Sequence, residues 1–124
     1  MRRIAFINQK GGVGKTTCCV NVAAAVARKQ KRVLLVDCDP QAHATLHLGV
    51  EPFRLEASLY DVMVGERPAA EVLLPDVRPN LSLLPASLDL SAAEVELAAN
   101  VGRENTLKTA LLELLQTDLS LIHI

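Results

Sequence analysis

The run "GGVGKTT", residues 11–17, lies between the apolar stretch "RIAFIN" at 3–8 and a helix-compatible segment running from Lys15 to about Gln30. No other feature narrows the possible folds as far. Gly11, Gly12 and Gly14 let the backbone turn tightly and present consecutive N–H groups to an anion. A helix beginning near Lys15 aims the positive end of its dipole at the same point. A second apolar run, "VLLVD" at 33–37, follows that helix. Strand, glycine turn, helix and strand form a βαβ unit, which implies a parallel sheet with a right-handed crossover. The expected fold class is therefore α/β, a phosphate-binding-loop parallel sheet flanked by helices.

The spacing also assigns chemistry. Val13 and the glycines supply the cradle, Lys15 reaches the β and γ phosphates, and the Thr16 hydroxyl suits a Mg²⁺ that bridges them. Thr17 adds one more hydroxyl in the first helical turn. A lone glycine pair would fit an ordinary strand-to-helix turn, but the complete "GGVGKTT" in this setting favours a nucleoside triphosphate. The loop departs from the general pattern in one respect: Gln9 stands where a glycine is usual, and Lys10 adds a second cation. A second loop, "VDCDPQAHAT", places Asp37 and Asp39 past the end of the second strand, the edge at which open α/β sheets bind ligands. Carboxylates there hold Mg²⁺-bound water or orient an attacking water.

Composition excludes several alternatives. The 124 residues carry a net charge of −1, but residues 1–50 hold eight Lys or Arg against two Asp, while 51–124 hold five against twelve acids. The basic part suits an anionic ligand, whereas the chain as a whole is not a basic nucleic-acid binder. Phe6, Phe53 and Tyr60 are the only aromatic residues, too few for a base-stacking platform. Cys18, Cys19 and Cys38 make an odd set without C-x-x-C spacing, which points to reduced thiols rather than a disulfide framework or zinc site. The N-terminal apolar run is too short for a signal peptide and no segment is long enough to span a bilayer, so a cytoplasmic chain without membrane attachment is expected.

Further along, "SLYDVMVG" and "PAAEVLLP" read as short helices bounded by Gly65, Pro68 and Pro75, and "NLSLLPAS" as a third strand. "LSAAEVELAAN" and "NTLKTALLELLQT" read as helices. In the second, Leu107, Ala110, Leu111, Leu114 and Leu115 form an amphipathic stripe expected to pack into the core. His43 and His47 stand four apart, but without a third ligand they read as solvent-facing rather than metal-binding. The basic run "RKQKR" at 28–32 admits a DNA contact, but is read first as complementing a helix C-terminal dipole in solvent.

Taken together, "KGGVGKTT", "LLVDCDPQ" and "LLPASLDLSAAEVEL" closely resemble the ParA/Soj partitioning ATPases of the deviant Walker A group, which also contains MinD. The resemblance runs from about Arg3 to about Leu115. It implies ATP and Mg²⁺ as cofactors and an ATP-dependent sandwich homodimer. It also implies non-specific DNA binding, nucleoid association and a ParB-type partner that stimulates hydrolysis. Carried over by position, Lys10 is the signature lysine that crosses the dimer to the partner's phosphates, and Lys15 is the loop's own lysine. Thr16 is the Mg²⁺ ligand, with Asp37 assigned beside it. Thr17 contacts phosphate, Gly12 lies where subunits approach, and Asp39 is the aspartate needed for hydrolysis. His43 departs from the asparagine often found at its position. A MinD-like division regulator and an ATP-dependent amidoligase of the synthetase type are the competing readings.

In that family a helix like 106–116 leads into a strand ending in the Walker B aspartate, whereas this chain closes with "TDLSLIHI". The expectation is an N-terminal part over 1–118, truncated before the Walker B strand and the main DNA-contacting surface. The remaining 119–124 are expected to be non-native read-through, since "LSLIHI" matches one frame of the transposon end used in sequencing-library preparation. The same six residues alternate well enough to form a strand.

Overall fold

The computed structural model describes residues 3–7, 14–93, 105–112, 114 and 120–123, the last four by backbone path alone. Its strands are β1 (Arg3–Ala5), β2 (Val33–Val36), β3 (Leu74–Arg78), β4 (Leu81–Leu84) and β5 (Ser120–His123). The helices are α1 (Lys15–Arg28), α2 (His43–His47), α3 (Leu59–Met63), α4 (Ala69–Val72) and α5 (Thr106–Leu112), with a 3₁₀ turn at Pro52–Arg54. The five strands form one sheet in the order β1-β5-β2-β4-β3. β1, β5, β2 and β4 run parallel, and β3 closes the edge antiparallel to β4.

β2 is central and explains the layering. Its side chains alternate between two cores, as strand geometry requires. Val33 and Leu35 join Cys19, Ala23 and Ala27 of α1 and Ala44 of α2 on one face. Leu34 and Val36 join Leu59 and Val62 of α3, Val72 of α4 and Leu111 of α5 on the other. Helices cover both faces, so this strand reads as an unbroken apolar run. Small residues along α1 let that helix lie close to the sheet. The stripe on α5 packs into the core as expected, with Leu111 and Leu114 buried and Leu107 and Ala110 partly so; Leu115 lies outside the described residues.

Three expectations need correction. "RIAFIN" was expected to be a buried strand, yet β1 is three residues long and all three are exposed. The reason is position: β1 is an edge strand paired with β5 alone. "PAAEVLLP" was expected to be helical throughout, yet its helix ends at Val72 and Leu74 opens β3. Pro75 is tolerated there because an edge strand has a side without ladder partners, and Asp76 at φ 47 accompanies a register irregularity between Leu74 and Arg78. The third is α2, which begins at His43 where a loop was expected. Of "LSAAEVELAAN", residues 90–93 are helical and the rest lies outside the described residues. The backbone of 120–123 lies between β1 and β2, with Val33 to Val36 registered on Ser120 to His123.

Candidate nucleotide site

Two chain segments meet at the C-terminal edge of the sheet. The first is the start of α1. Gly14 caps it at φ 80, ψ 19, in the left-handed region that glycine adopts without strain. The Gly14 carbonyl accepts the first helical bond from the Cys18 N–H at 2.9 Å. A side chain added at Gly14 would meet nothing within 4 Å. The glycine is thus required by backbone conformation rather than by space. Lys15 and Thr16 are half-buried and Thr17 is exposed in the first turn. Lys10, Gly11, Gly12 and Val13, assigned to the same loop, lie outside the described residues, as does Gln9.

The second segment leaves β2 and carries both aspartates. The Asp37 N–H bonds the Leu84 carbonyl at 3.1 Å and extends the β2–β4 ladder by one residue. The Asp37 side chain is fully buried. Its Oδ2 accepts from the Thr45 N–H at 2.9 Å and from the Thr45 hydroxyl at 2.7 Å. Its Oδ1 accepts from the Asp39 N–H at 3.1 Å. Burial raises the Asp37 pKa above the ordinary carboxylate value, the nearby Asp39 charge adds to that, and the Thr45 and Asp39 donors offset part of the rise. Thr45 Oγ1 in turn accepts from the Ala86 N–H at 3.0 Å, joining the loop after β2 to the loop after β4.

Asp39 occupies a different setting. Its Oδ1 accepts from the Gln41 N–H at 3.0 Å, and its Oδ2 lies 2.7 Å from His43 Nδ1 and 3.4 Å from the His43 N–H. Partial burial pushes its pKa up, but the Gln41 amide and the His43 side chain and amide outweigh it, leaving the carboxyl below its ordinary value. Between Asp39 and His43, Ala42 takes φ 56, an uncommon left-handed conformation for a residue with a side chain. The Ala42 N–H bonds the Asp39 carbonyl at 2.8 Å, which holds this turn.

Cys18, Cys19 and Cys38 are unpaired thiols in this structure, Cys18 exposed, Cys38 partly buried and Cys19 buried. Cys19 and Cys38 are each pushed up to about 12, by burial first and by the Asp37 charge second. Cys19 of α1 packs in the same core as Leu35 of β2, which sets the start of α1 beside the end of that strand. Among the described residues no group of three or more His, Cys, Asp or Glu could hold a metal ion.

Asp37 and Asp39 sit on one loop in different settings, the first fully buried and the second partly exposed. Asp37 was expected beside Thr16 at Mg²⁺; in this structure its oxygens accept from Thr45 and from the Asp39 N–H. Sequence reasoning missed Thr45, whose role depends on a helix it did not foresee. It read His43 as solvent-facing, and the ring is 59% exposed, yet it pairs with Asp39. The spacing of four between Asp39 and His43 was the available signal.

Comparison with known proteins adds independent support. The family described as AAA domain matches residues 1–123. The sporulation initiation inhibitor protein Soj of Bacillus subtilis is 46% identical over 108 residues, covering 87% of this chain and 43% of that protein. The chromosome partitioning protein ParA of Caulobacter vibrioides is 41% identical over 111 residues, covering 90% of this chain and 42% of that protein. The chain thus spans less than half the length of these relatives. Among solved structures, cobyrinic acid a,c-diamide synthase from Mycobacterium smegmatis, with bound ATP analogue and magnesium, superposes with a TM-score of 0.91 at 41% identity. That match covers 99% of this chain and 50% of the synthase.

Proposed function

The chain belongs to the AAA-domain family and to its ParA/Soj branch, and from that premise we propose that it is the nucleotide-binding part of a DNA-partitioning ATPase. The observation that carries the reading is the meeting of the Gly14–Thr17 helix start with the Asp37–Asp39 loop at one sheet edge. A helix of 14 residues capped by a left-handed glycine, with a lysine and two hydroxyls in its first turn, is a donor set that fits a polyphosphate and its cation. When bound, Mg²⁺ supplies charge neutralisation to the β and γ phosphates. Lys15 and Thr17 bind phosphate, Thr16 holds the cation through its hydroxyl, and Asp37 contributes its negative charge to the same neighbourhood. Asp39 orients the attacking water.

In the complete gene product, Lys10 crosses an ATP-dependent sandwich homodimer to the partner's phosphates, with Gly11, Gly12 and Val13 forming the shared cradle. The dimer binds DNA non-specifically in the cytoplasm, on the nucleoid, and a ParB-type partner stimulates hydrolysis. Residues 1–118 belong to the nucleotide-binding part of that ATPase. The 124-residue chain is accordingly predicted to have little or no ATPase activity; turnover that Lys15→Ala abolishes would contradict this. In the complete gene product, Lys10→Ala is expected to impair hydrolysis and dimerisation more than nucleotide binding, and Lys15→Ala to impair binding itself. Equal loss of binding in both would overturn the division of labour.

The likeness to the synthase structure favours a second reading, an ATP-dependent amidoligase. ATP-dependent retention of arbitrary duplex DNA separates the two. Retention supports the partitioning ATPase, and its absence together with ATP-driven amide formation supports the ligase.

A further inference from the structure

We infer that His43 is a positioning residue for Asp39, holding the carboxylate in the orientation from which it acts on water. The inference rests on the hydrolytic role proposed for Asp39 and adds a residue that this role requires. The donors facing the Asp39 carboxylate come from the Gln41 and His43 positions alone among the described residues: the Gln41 amide on Oδ1, and the His43 ring and amide on Oδ2. On Oδ2 the ring contact is 2.7 Å and the amide contact 3.4 Å, at the outer limit of a useful bond. Without the imidazole, Oδ2 keeps only that weak contact among the described residues, and the carboxylate is anchored mainly through Oδ1 by the Gln41 amide.

The arrangement also fixes the ring. A carboxylate oxygen can only accept, so Nδ1 donates to Oδ2, on a ring that is 59% exposed. Asp39 itself keeps 17% of its side chain open while accepting those donors. Its remaining exposure is what leaves room for a water molecule beside those donors. Asp37, two residues earlier, has no exposed surface at all.

A surface pair of this kind contributes little to stability, so its effect on turnover can be read apart from folding. An asparagine at the same position carries side-chain N–H donors of comparable reach, so it should hold the carboxylate where alanine cannot.

The test compares kcat, nucleotide affinity by calorimetry and melting temperature for His43→Ala, His43→Asn, Asp39→Ala and the His43→Ala/Asp39→Ala double variant of the complete gene product. His43→Ala should lower kcat about tenfold with affinity and melting temperature nearly unchanged, and His43→Asn should recover most of it. In the Asp39→Ala background, His43→Ala should have no further effect, because the group it positions is gone. A His43→Ala enzyme with wild-type kcat beside an inactive Asp39→Ala enzyme would overturn the inference and leave the hydrolytic reading intact. A loss of affinity or melting temperature that accounts for the loss of kcat would also overturn it. Wild-type turnover in Asp39→Ala would instead remove the hydrolytic reading, and this inference with it.

Discussion

The closed pocket around Asp37 and the open rim around Asp39 are two residues apart in sequence and opposite in physics. In the pocket, a carboxylate with no exposed surface is held by Thr45, which also reaches Ala86 at the end of β4. On the rim, a carboxylate is held by its own turn and keeps part of its surface open. Burial raises the first pKa, while local donors lower the second against a smaller burial effect. The comparison teaches that two carboxylates two residues apart on one loop take opposite settings, one fully buried and one partly open to solvent. Residue type does not separate them, nor does the presence of donors, since both accept from neighbouring protein groups; burial does.

The largest expected effect comes from the pocket. Thr45→Val removes the hydroxyl that donates to Asp37 and accepts from Ala86, leaving both buried partners short of a bond. A loss of about 2–3 kcal/mol in urea unfolding is expected, whereas Thr45→Ser, which keeps the hydroxyl, should lose no more than about 1 kcal/mol. If Thr45→Val and Thr45→Ser unfold alike, the pocket is not the tie described here.

Gly14→Ala tests the other side of the site and should cost about 1–2 kcal/mol, because a left-handed residue with a side chain is strained even where the space is open. His43→Ala sits on the rim and should change stability by less than about 1 kcal/mol. A larger loss would mean that the rim is as structural as the pocket.

Acid titration should separate the two carboxylates by sign. Asp39 has a depressed folded-state pKa, so its contribution is present above the ordinary carboxylate range and disappears as pH falls through the folded value. Asp37 has a raised one, so its contribution is full at low pH and disappears as pH rises through the folded value. Stability measured against pH should therefore lose part of its acid-side decline in Asp39→Asn. In Asp37→Asn the decline on acidification should become steeper relative to neutral pH. Parallel curves for the two variants would contradict the contrast.

How far the sequence could be read follows from the same physics. β2 was legible because a strand buried on both faces must be apolar throughout, and "VLLV" leaves no choice. α1 was legible because the glycine turn starts it and the small residues permit close packing. β3 was not, because "LPDVR" carries a proline and a left-handed aspartate that argue against a strand, and only its edge position makes them acceptable. β1 looked buried because its residues are apolar, but burial depends on what covers a strand. Asp39 could be picked out by its place just past the end of β2. Thr45 could not, since it acts eight residues from Asp37 and forty-one from Ala86, through a short helix that no cap residue announces.

The most direct test of the account is single-turnover ATP hydrolysis by the complete gene product carrying Asp39→Ala, with nucleotide binding measured on the same preparation. The account predicts that ATP and Mg²⁺ are still bound and that hydrolysis falls to background. Hydrolysis at the wild-type rate, with binding intact, would contradict it.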